Sequence, residues 1–149
     1  MKNKKFIIFG KTKITNREKK AVIETLKSGW IGTGPQVKQF ERNFKNYKQS
    51  KYSQAVSSCT AALFLSIKSL ELNKNDEIIV PAMTFISTVS TIIQNGAKPI
   101  FVDIDKLTMN IDIDKIEEKI SKNTKAIVVV HFAGYPINMK RITCINVIV

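Results

Sequence analysis

Apolar and polar positions follow two rhythms along this chain, and the switches between them predict its elements. Ala21, Val22 and Leu26 recur at helical spacing and are expected to face a core. Thr15 and Glu18 form a capping box at the start of that helix, and Gly29 supplies its stop. Pro35 suits a first helical residue, with Val37, Phe40 and Phe44 at helical spacing behind it. Tyr52–Val56 reads as a short strand that leads through a turn at Ser57–Thr60 into a helix from Thr60 to about Leu70. That helix is apolar on nearly every side, so burial is expected.

The alternation then becomes regular. A turn at Asn73–Asp76 precedes a strand at Glu77–Val80, and Phe85–Gln94 reads as a helix stopped by Gly96. Pro99–Val102 is a strand, Ile113–Ile120 a helix capped by Asp112, and Lys125–Val130 another strand. The apolar runs Ile78–Val80 and Ala126–Val130 lack alternation, which suits strands covered on both faces. Strands alternating with helices predict an α/β fold with a mainly parallel sheet sandwiched by helices.

Length and composition change this picture little. A chain of 149 residues suffices for one domain with a real core, and 44% hydrophobic with 24% charged residues is ordinary for a globular protein. The net charge of +12 is less ordinary. It could mark a polyanion-binding surface. However, most of the excess is Lys, scattered through helical and loop stretches, as codon usage rich in A/T would give. Attraction for anionic ligands is compatible with it, but nucleic acid is not an expected partner. Cys59 and Cys144 stand far apart in no ligand spacing, which favours a reducing compartment. Phe6–Phe9 is too short for a signal-peptide core, and no stretch approaches the roughly 20 apolar residues of a membrane span. The expected location is the cytoplasm, without a membrane partner.

Two segments carry candidate chemistry. Ser57-Ser58-Cys59-Thr60-Ala61-Ala62-Leu63 is a small-residue turn opening a helix, whose unpaired N–H groups and positive dipole end suit a phosphate. An ordinary N-cap would look the same. Gly29-Trp30-Ile31-Gly32-Thr33-Gly34-Pro35 is a glycine-rich turn that permits close backbone approach, or serves only to join two helices. His131, the single histidine, ends an apolar strand where ligands gather in open α/β sheets, although a structural role is as natural there. Asp103 and Asp105 are expected as a solvated strand end with no metal, and Cys59 as a small turn residue.

The blocks GWIGTGP, SSCTAAL, DEIIVPAMTFIST, NGAKPIFVDID and TKAIVVVHFAGYPINM, in this order from about Phe6 to Met139, resemble the DegT/DnrJ/StrS family of sugar aminotransferases. The resemblance implies the aspartate-aminotransferase architecture (PLP fold type I), of which residues 1–149 would be the N-terminal portion of the large domain. It further implies pyridoxal 5'-phosphate (PLP) as cofactor, a nucleotide-linked keto-sugar and an amino donor such as glutamate as substrates, and a homodimer. The setting would be amino-sugar or envelope polysaccharide synthesis. By position, Thr60 and Ala61 match residues that hold the cofactor phosphate, and Phe85 matches the aromatic stacked on the pyridine ring. His131 lies on a strand end near the cofactor, while Gly32, Thr33 and Gly34 match a loop near the sugar nucleotide.

The match is incomplete. The family's E-D-x-x-H and S-x-H-x-x-K blocks, which supply the carboxylate at the pyridine nitrogen and the Schiff-base lysine, do not occur here, so no catalytic residue is assigned. Residues 140–149 depart from the family pattern: Lys140–Ile142 passes almost at once to an apolar tail, with no room for the expected helix. A truncated gene product that does not transaminate alone is the expected reading. The alternatives are a non-catalytic basic α/β binding module and a partner of a full-length paralogue. A dinucleotide-binding oxidoreductase is disfavoured, since no G-x-G-x-x-G follows the early strand.

Overall fold

The computed structural model describes residues 10–143, which fall into two compact units, Met1–Ala55 and Val56–Val149. The Lys2–Lys5 cluster, Phe6–Phe9 and the tail from Cys144 lie outside the described residues.

The first unit holds two helices, α1 (Asn16–Lys27) and α2 (Pro35–Lys48). Both begin as their caps dictate. The Thr15 backbone N–H donates to Glu18 at 2.7 Å while the Thr15 hydroxyl accepts from the Arg17 N–H, completing the capping box. Hydrogen bonding to the Thr15 hydroxyl and backbone holds the Glu18 carboxyl below its ordinary pKa. Gly29, at φ +70°, ends α1 in the left-handed conformation that L side chains resist. Between the helices, the Trp30 indole N–H donates to the Thr33 carbonyl at 3.0 Å and lies against Gly34. A Cβ on Gly34 would stand 1.9 Å from Trp30 Nε1, so glycine is required there by contact and not by backbone angle.

Two expectations for this unit fail. Ala21, Val22 and Leu26 do not reach a core: α1 has no buried residue, and Leu26 is 61% exposed. Tyr52–Val56 forms no strand, because a strand needs a ladder partner and it has none among the described residues. The end of this stretch is instead tied to α2, where Glu41 accepts from the Ala55 N–H at 2.8 Å and from Gln54 Nε2 at 3.0 Å.

The second unit is a three-stranded parallel sheet in the order β2-β1-β3, with β1 (Glu77–Pro81) between β2 (Lys98–Val102) and β3 (Thr124–Ile127). Ile78, Ile79 and Val80 of β1 are fully buried, and the pleat sends them to opposite faces. Ile78 and Val80 meet Ile67 of α3 (Cys59–Lys68) and Ile92 of α4 (Ile86–Gln94). Ile79 meets Val102, Ile127 and Ile116 on the other face, with Ile142 from α5 (Met139–Thr143). The sheet is thus covered on both sides, as its non-alternating apolar runs predict.

Several boundaries differ from expectation. α3 is only partly buried, since Ile67 alone is enclosed and Leu65 faces solvent. In place of a helix over Ile113–Ile120 stand two 3-10 turns, Ile113–Lys115 and Glu117–Lys119. The Asp112 carboxylate takes the Asp114 N–H, and i to i+3 bonds follow, which brings Ile116 and Ile113 together onto the core. β3 ends at Ile127, although the Val128 N–H still reaches the Ile79 carbonyl at 2.8 Å. A five-residue helix, α5, occupies the stretch where no helix was expected.

Two predictions follow from this packing. Ile79→Ala, which opens a cavity under the central strand, is expected to destabilise the chain by about 2–5 kcal/mol in chemical denaturation. Gly34→Ala should expel the indole, break the bond to Thr33 and shift the emission of Trp30, the only tryptophan in the chain. Gly32→Ala, with open space around the new methyl, should leave that emission unchanged.

Candidate functional site

In a parallel sheet, helices that connect strands run back against them, so helix N-termini and strand C-termini share one edge. α4 links the end of β1 to the start of β2, and α3 packs beside α4 and feeds the start of β1. The C-terminal edge of the sheet therefore carries the N-terminus of α3, the N-terminus of α4 and the loop after β3. Thr60 and Ala61 sit at the first of these, Phe85 at the second and His131 at the third. Gly32, Thr33 and Gly34 belong to the first unit, in the turn closed by Trp30.

The N-terminus of α3 has a specific distribution of donors. Ser58 is the N-cap, and its hydroxyl accepts the Ala61 N–H at 3.1 Å. The Ala62 N–H begins the helical ladder by donating to the Ser58 carbonyl. Among the described residues, the N–H groups of Cys59 and Thr60 have no recorded acceptor, and both residues are exposed. Two adjacent donors at the positive end of a ten-residue helix can therefore receive an anion. Ala61 contributes no free N–H, because Ser58 already holds it. The free donor pair belongs to Cys59 and Thr60, a division that the residue types alone did not reveal.

Phe85 is the N-cap residue of α4 and makes no side-chain cap. It is 72% exposed, which removes the ordinary core role for a phenylalanine following a strand. An open aromatic face at the N-terminus of α4 can take a flat heteroaromatic ring.

His131 is held by the loop that follows it. Ala133 at φ +50° and Gly134 at φ +82° turn the chain tightly, and the Ile137 N–H donates to His131 Nδ1 at 3.2 Å. A neutral imidazole accepting at Nδ1 carries its proton on Nε2, so the ring presents a single donor. Asn110, which the sequence reading missed, fastens the same loop. It is buried, its Nδ2 donates to the Tyr135 carbonyl at 3.0 Å, and its Oδ1 accepts the Phe132 N–H at 2.8 Å. Its only sequence signal is an amide in a turn far from the loop it holds.

The acidic residues after β2 serve the backbone. Asp103 is held below its ordinary pKa chiefly by the Ile104 N–H and then by Lys115, and Asp105 by the Thr108 N–H and hydroxyl. Lys115 is raised, first by Asp112 and then by Asp103. No group of His, Cys, Asp and Glu capable of holding a metal occurs among the described residues. A cavity of about 340 Å³ opens beside the Asn110 loop, where Asp114 pairs with Arg141, but none of the residues expected at the cofactor lines it. Among the described residues no helix is long and apolar enough to cross a membrane.

The donor pair and the open ring fit a phosphorylated heteroaromatic group such as PLP. The spore coat polysaccharide biosynthesis protein SpsC of Bacillus subtilis is 44% identical over 144 residues, which is 97% of this chain and 37% of that protein. The solved "Putative sugar aminotransferase Spr1654 from Streptococcus pneumoniae, PLP-form" superposes with a TM-score of 0.86 at 40% identity, covering 93% of this chain and 36% of that one. The E. coli GDP-4-keto-6-deoxy-D-mannose-3-dehydratase with bound hydrated PLP gives 0.85 at 38% identity, over 91% and 36%. The chain thus spans just over a third of the length of each of these relatives. The fold is the α/β architecture of PLP fold type I sugar aminotransferases, present in part. With residues 12–147 matching its profile, the chain belongs to the DegT/DnrJ/EryC1/StrS aminotransferase family.

Proposed function

We propose that residues 1–149 are the N-terminal part of the large domain of a cytoplasmic, PLP-dependent aminotransferase. The intact enzyme, a homodimer, transfers an amino group from glutamate to a nucleotide-linked keto-sugar for amino-sugar or envelope polysaccharide synthesis. One observation carries this reading: an open N–H pair at the α3 terminus shares a sheet edge with an exposed Phe85. The names of the relatives support the wider setting, one being a polysaccharide biosynthesis protein and another a dehydratase of a GDP-linked keto-sugar.

When bound, PLP supplies the electron-withdrawing ring and aldehyde carbon through which an amino group passes. The residues of this chain hold and orient it. The Cys59 and Thr60 N–H groups receive the phosphate, with the α3 dipole behind them and the Thr60 hydroxyl beside them. Phe85 would hold the ring by its aromatic face and exclude water there. His131, its Nδ1 occupied by Ile137, would keep Nε2–H free to donate. Gly32, Thr33 and Gly34 form the turn assigned to the sugar nucleotide, with open space at Gly32 and the Trp30 indole covering Gly34. The lysine and carboxylate blocks of the family do not occur in these residues, so binding and orientation are the roles assigned to them.

Pyridoxamine phosphate tests this directly, because it lacks the aldehyde that would react with surface lysines. Equilibrium dialysis of the purified chain should retain it in preference to pyridoxamine. Phe85→Ala should weaken retention by up to about tenfold, matching the loss of one aromatic contact. Thr60→Pro, which removes a donor that the helix does not use, should also weaken it. Equal retention of the two compounds would overturn the phosphate assignment. The 149-residue chain by itself should aminate no keto-sugar nucleotide, and measurable turnover would refute the division of roles.

A further inference from the structure

His131 is exposed, and an exposed imidazole without a restraint exchanges rotamers within nanoseconds. Here it is restrained, because the Ile137 N–H donates to its Nδ1 at 3.2 Å from six residues along the chain. That bond exists only while residues 131–137 keep one path. The segment joins no strand, and residues 133–136 are all exposed. Its own turns are a weak support. The Gly134 N–H donates to the His131 carbonyl at 3.0 Å and the Tyr135 N–H to the Phe132 carbonyl at 2.9 Å, but both turns pass through Ala133 at φ +50°. A left-handed alanine costs free energy and persists only where surrounding structure imposes it.

Two groups outside the turns impose it. Ile137 is buried in the core on the Ile79 face of the sheet, which anchors the far end. Asn110, only 3% exposed, holds the near end by taking the Phe132 N–H on Oδ1 and giving Nδ2–H to the Tyr135 carbonyl. A carboxamide offers an acceptor and a donor side by side, as a peptide group does, and so meets both groups at once. Aspartate at this position would lack the donor, and leucine would lack both. Between the anchors, Tyr135, Pro136 and Asn138 border the 340 Å³ cavity together with Asn110, so packing from that side does not hold the span. Asn110 is itself fixed through its backbone. The Asp105 N–H donates to its carbonyl at 2.9 Å, and its own N–H donates to the Thr108 hydroxyl at 3.3 Å. The Asp105 carboxylate in turn takes the Thr108 N–H and hydroxyl, each at 2.8 Å, so the support runs back to the segment after β2.

We infer that Asn110 is a positioning residue, which fixes the tautomer and direction of His131 through the loop that both of them hold. With the carboxamide in place, the Ile137 N–H occupies Nδ1, and the proton of the neutral ring lies on Nε2, free to donate. Without it, Ala133 relaxes out of the left-handed region, the path from 131 to 137 changes, and the imidazole loses its partner. The use of this arrangement toward a bound phosphorylated ring rests on the cofactor reading proposed above. The coupling of Asn110 to the imidazole does not.

His131 is the single histidine, so NMR spectra of the full chain, uniformly nitrogen-labelled, contain one imidazole. In mildly alkaline buffer without any ligand, Nδ1 should appear as a bare accepting nitrogen and Nε2 as protonated. A scalar coupling across the hydrogen bond should join Nδ1 to the Ile137 amide nitrogen. Asn110→Leu should abolish the coupling and bring both ring nitrogens to the shifts of a histidine in an unstructured peptide. Asn110→Ser, polar but too short to reach both partners, should do the same and covers the case in which leucine prevents folding. Ile127→Val trims the same core without touching the carboxamide and should keep the coupling. A proton on Nδ1 in the unaltered chain, coupling that survives in either folded Asn110 variant, or equal loss in Ile127→Val would overturn the inference. Pyridoxamine phosphate retention is read separately, and both Asn110 variants should weaken it by up to about tenfold, as for one hydrogen bond. An unaltered chain that shows the coupling but retains no pyridoxamine phosphate would refute the cofactor reading and leave the role of Asn110 standing.

Discussion

The second unit depends on one strand. β1 has hydrogen-bonded neighbours on both edges and apolar layers on both faces, so Ile78, Ile79 and Val80 have no contact with water. Burial of this kind contributes about 2 kcal/mol per side chain and fixes the register, because a slip by one residue would exchange the two faces. With β1 fixed, α4 must return antiparallel to reach β2, and its N-terminus must lie at the C-terminal edge. α3, clamped to α4 through the Asn95 bond to the Phe64 carbonyl, is held in the same sense. The site is thus a consequence of sheet direction, and no residue in it needs to hold the fold together.

That separation explains the solvent exposure of the candidate residues. Phe85, Thr60 and His131 all face outward, while the residues beneath them are buried or internally bonded. Thr84 donates to Thr88, Ser58 takes the Ala61 N–H, and Asn110 ties down the loop after His131. These polar groups are satisfied within the chain, whereas the Cys59 and Thr60 donors are not. A helix start that uses its cap on its third N–H leaves the first two open, as capped helices do, and an acceptor from outside the chain can reach them.

Much of this was legible in the sequence because local rules and tertiary packing agree there. Thr15 with Glu18, Pro35, Gly29 and Gly96 mark helix ends through chemistry that acts within four residues. The runs Ile78–Val80 and Ala126–Ile127 announce two-sided burial by their lack of alternation. The misreadings occur where tertiary context decides. Tyr52–Val56 has a strand's composition but no ladder. Val22 and Leu26 have core spacing but no cover among the described residues. Ile113–Ile120 has a cap and helical spacing, yet packing of Ile116 on the sheet favours tighter 3-10 turns. The role of Asn110 was not legible at all, because its partners lie 22 and 25 residues away.

Charge shows the same dependence on knowing the units. Read along the chain, the lysines are scattered and carry no message. Divided at Ala55, they separate a neutral sheet-forming unit from a helical one with most of the excess. The consequence for the site is electrostatic. A nearly neutral second unit exerts little long-range attraction on an anion, so an anion at the Cys59 and Thr60 donors would be held at hydrogen-bond range.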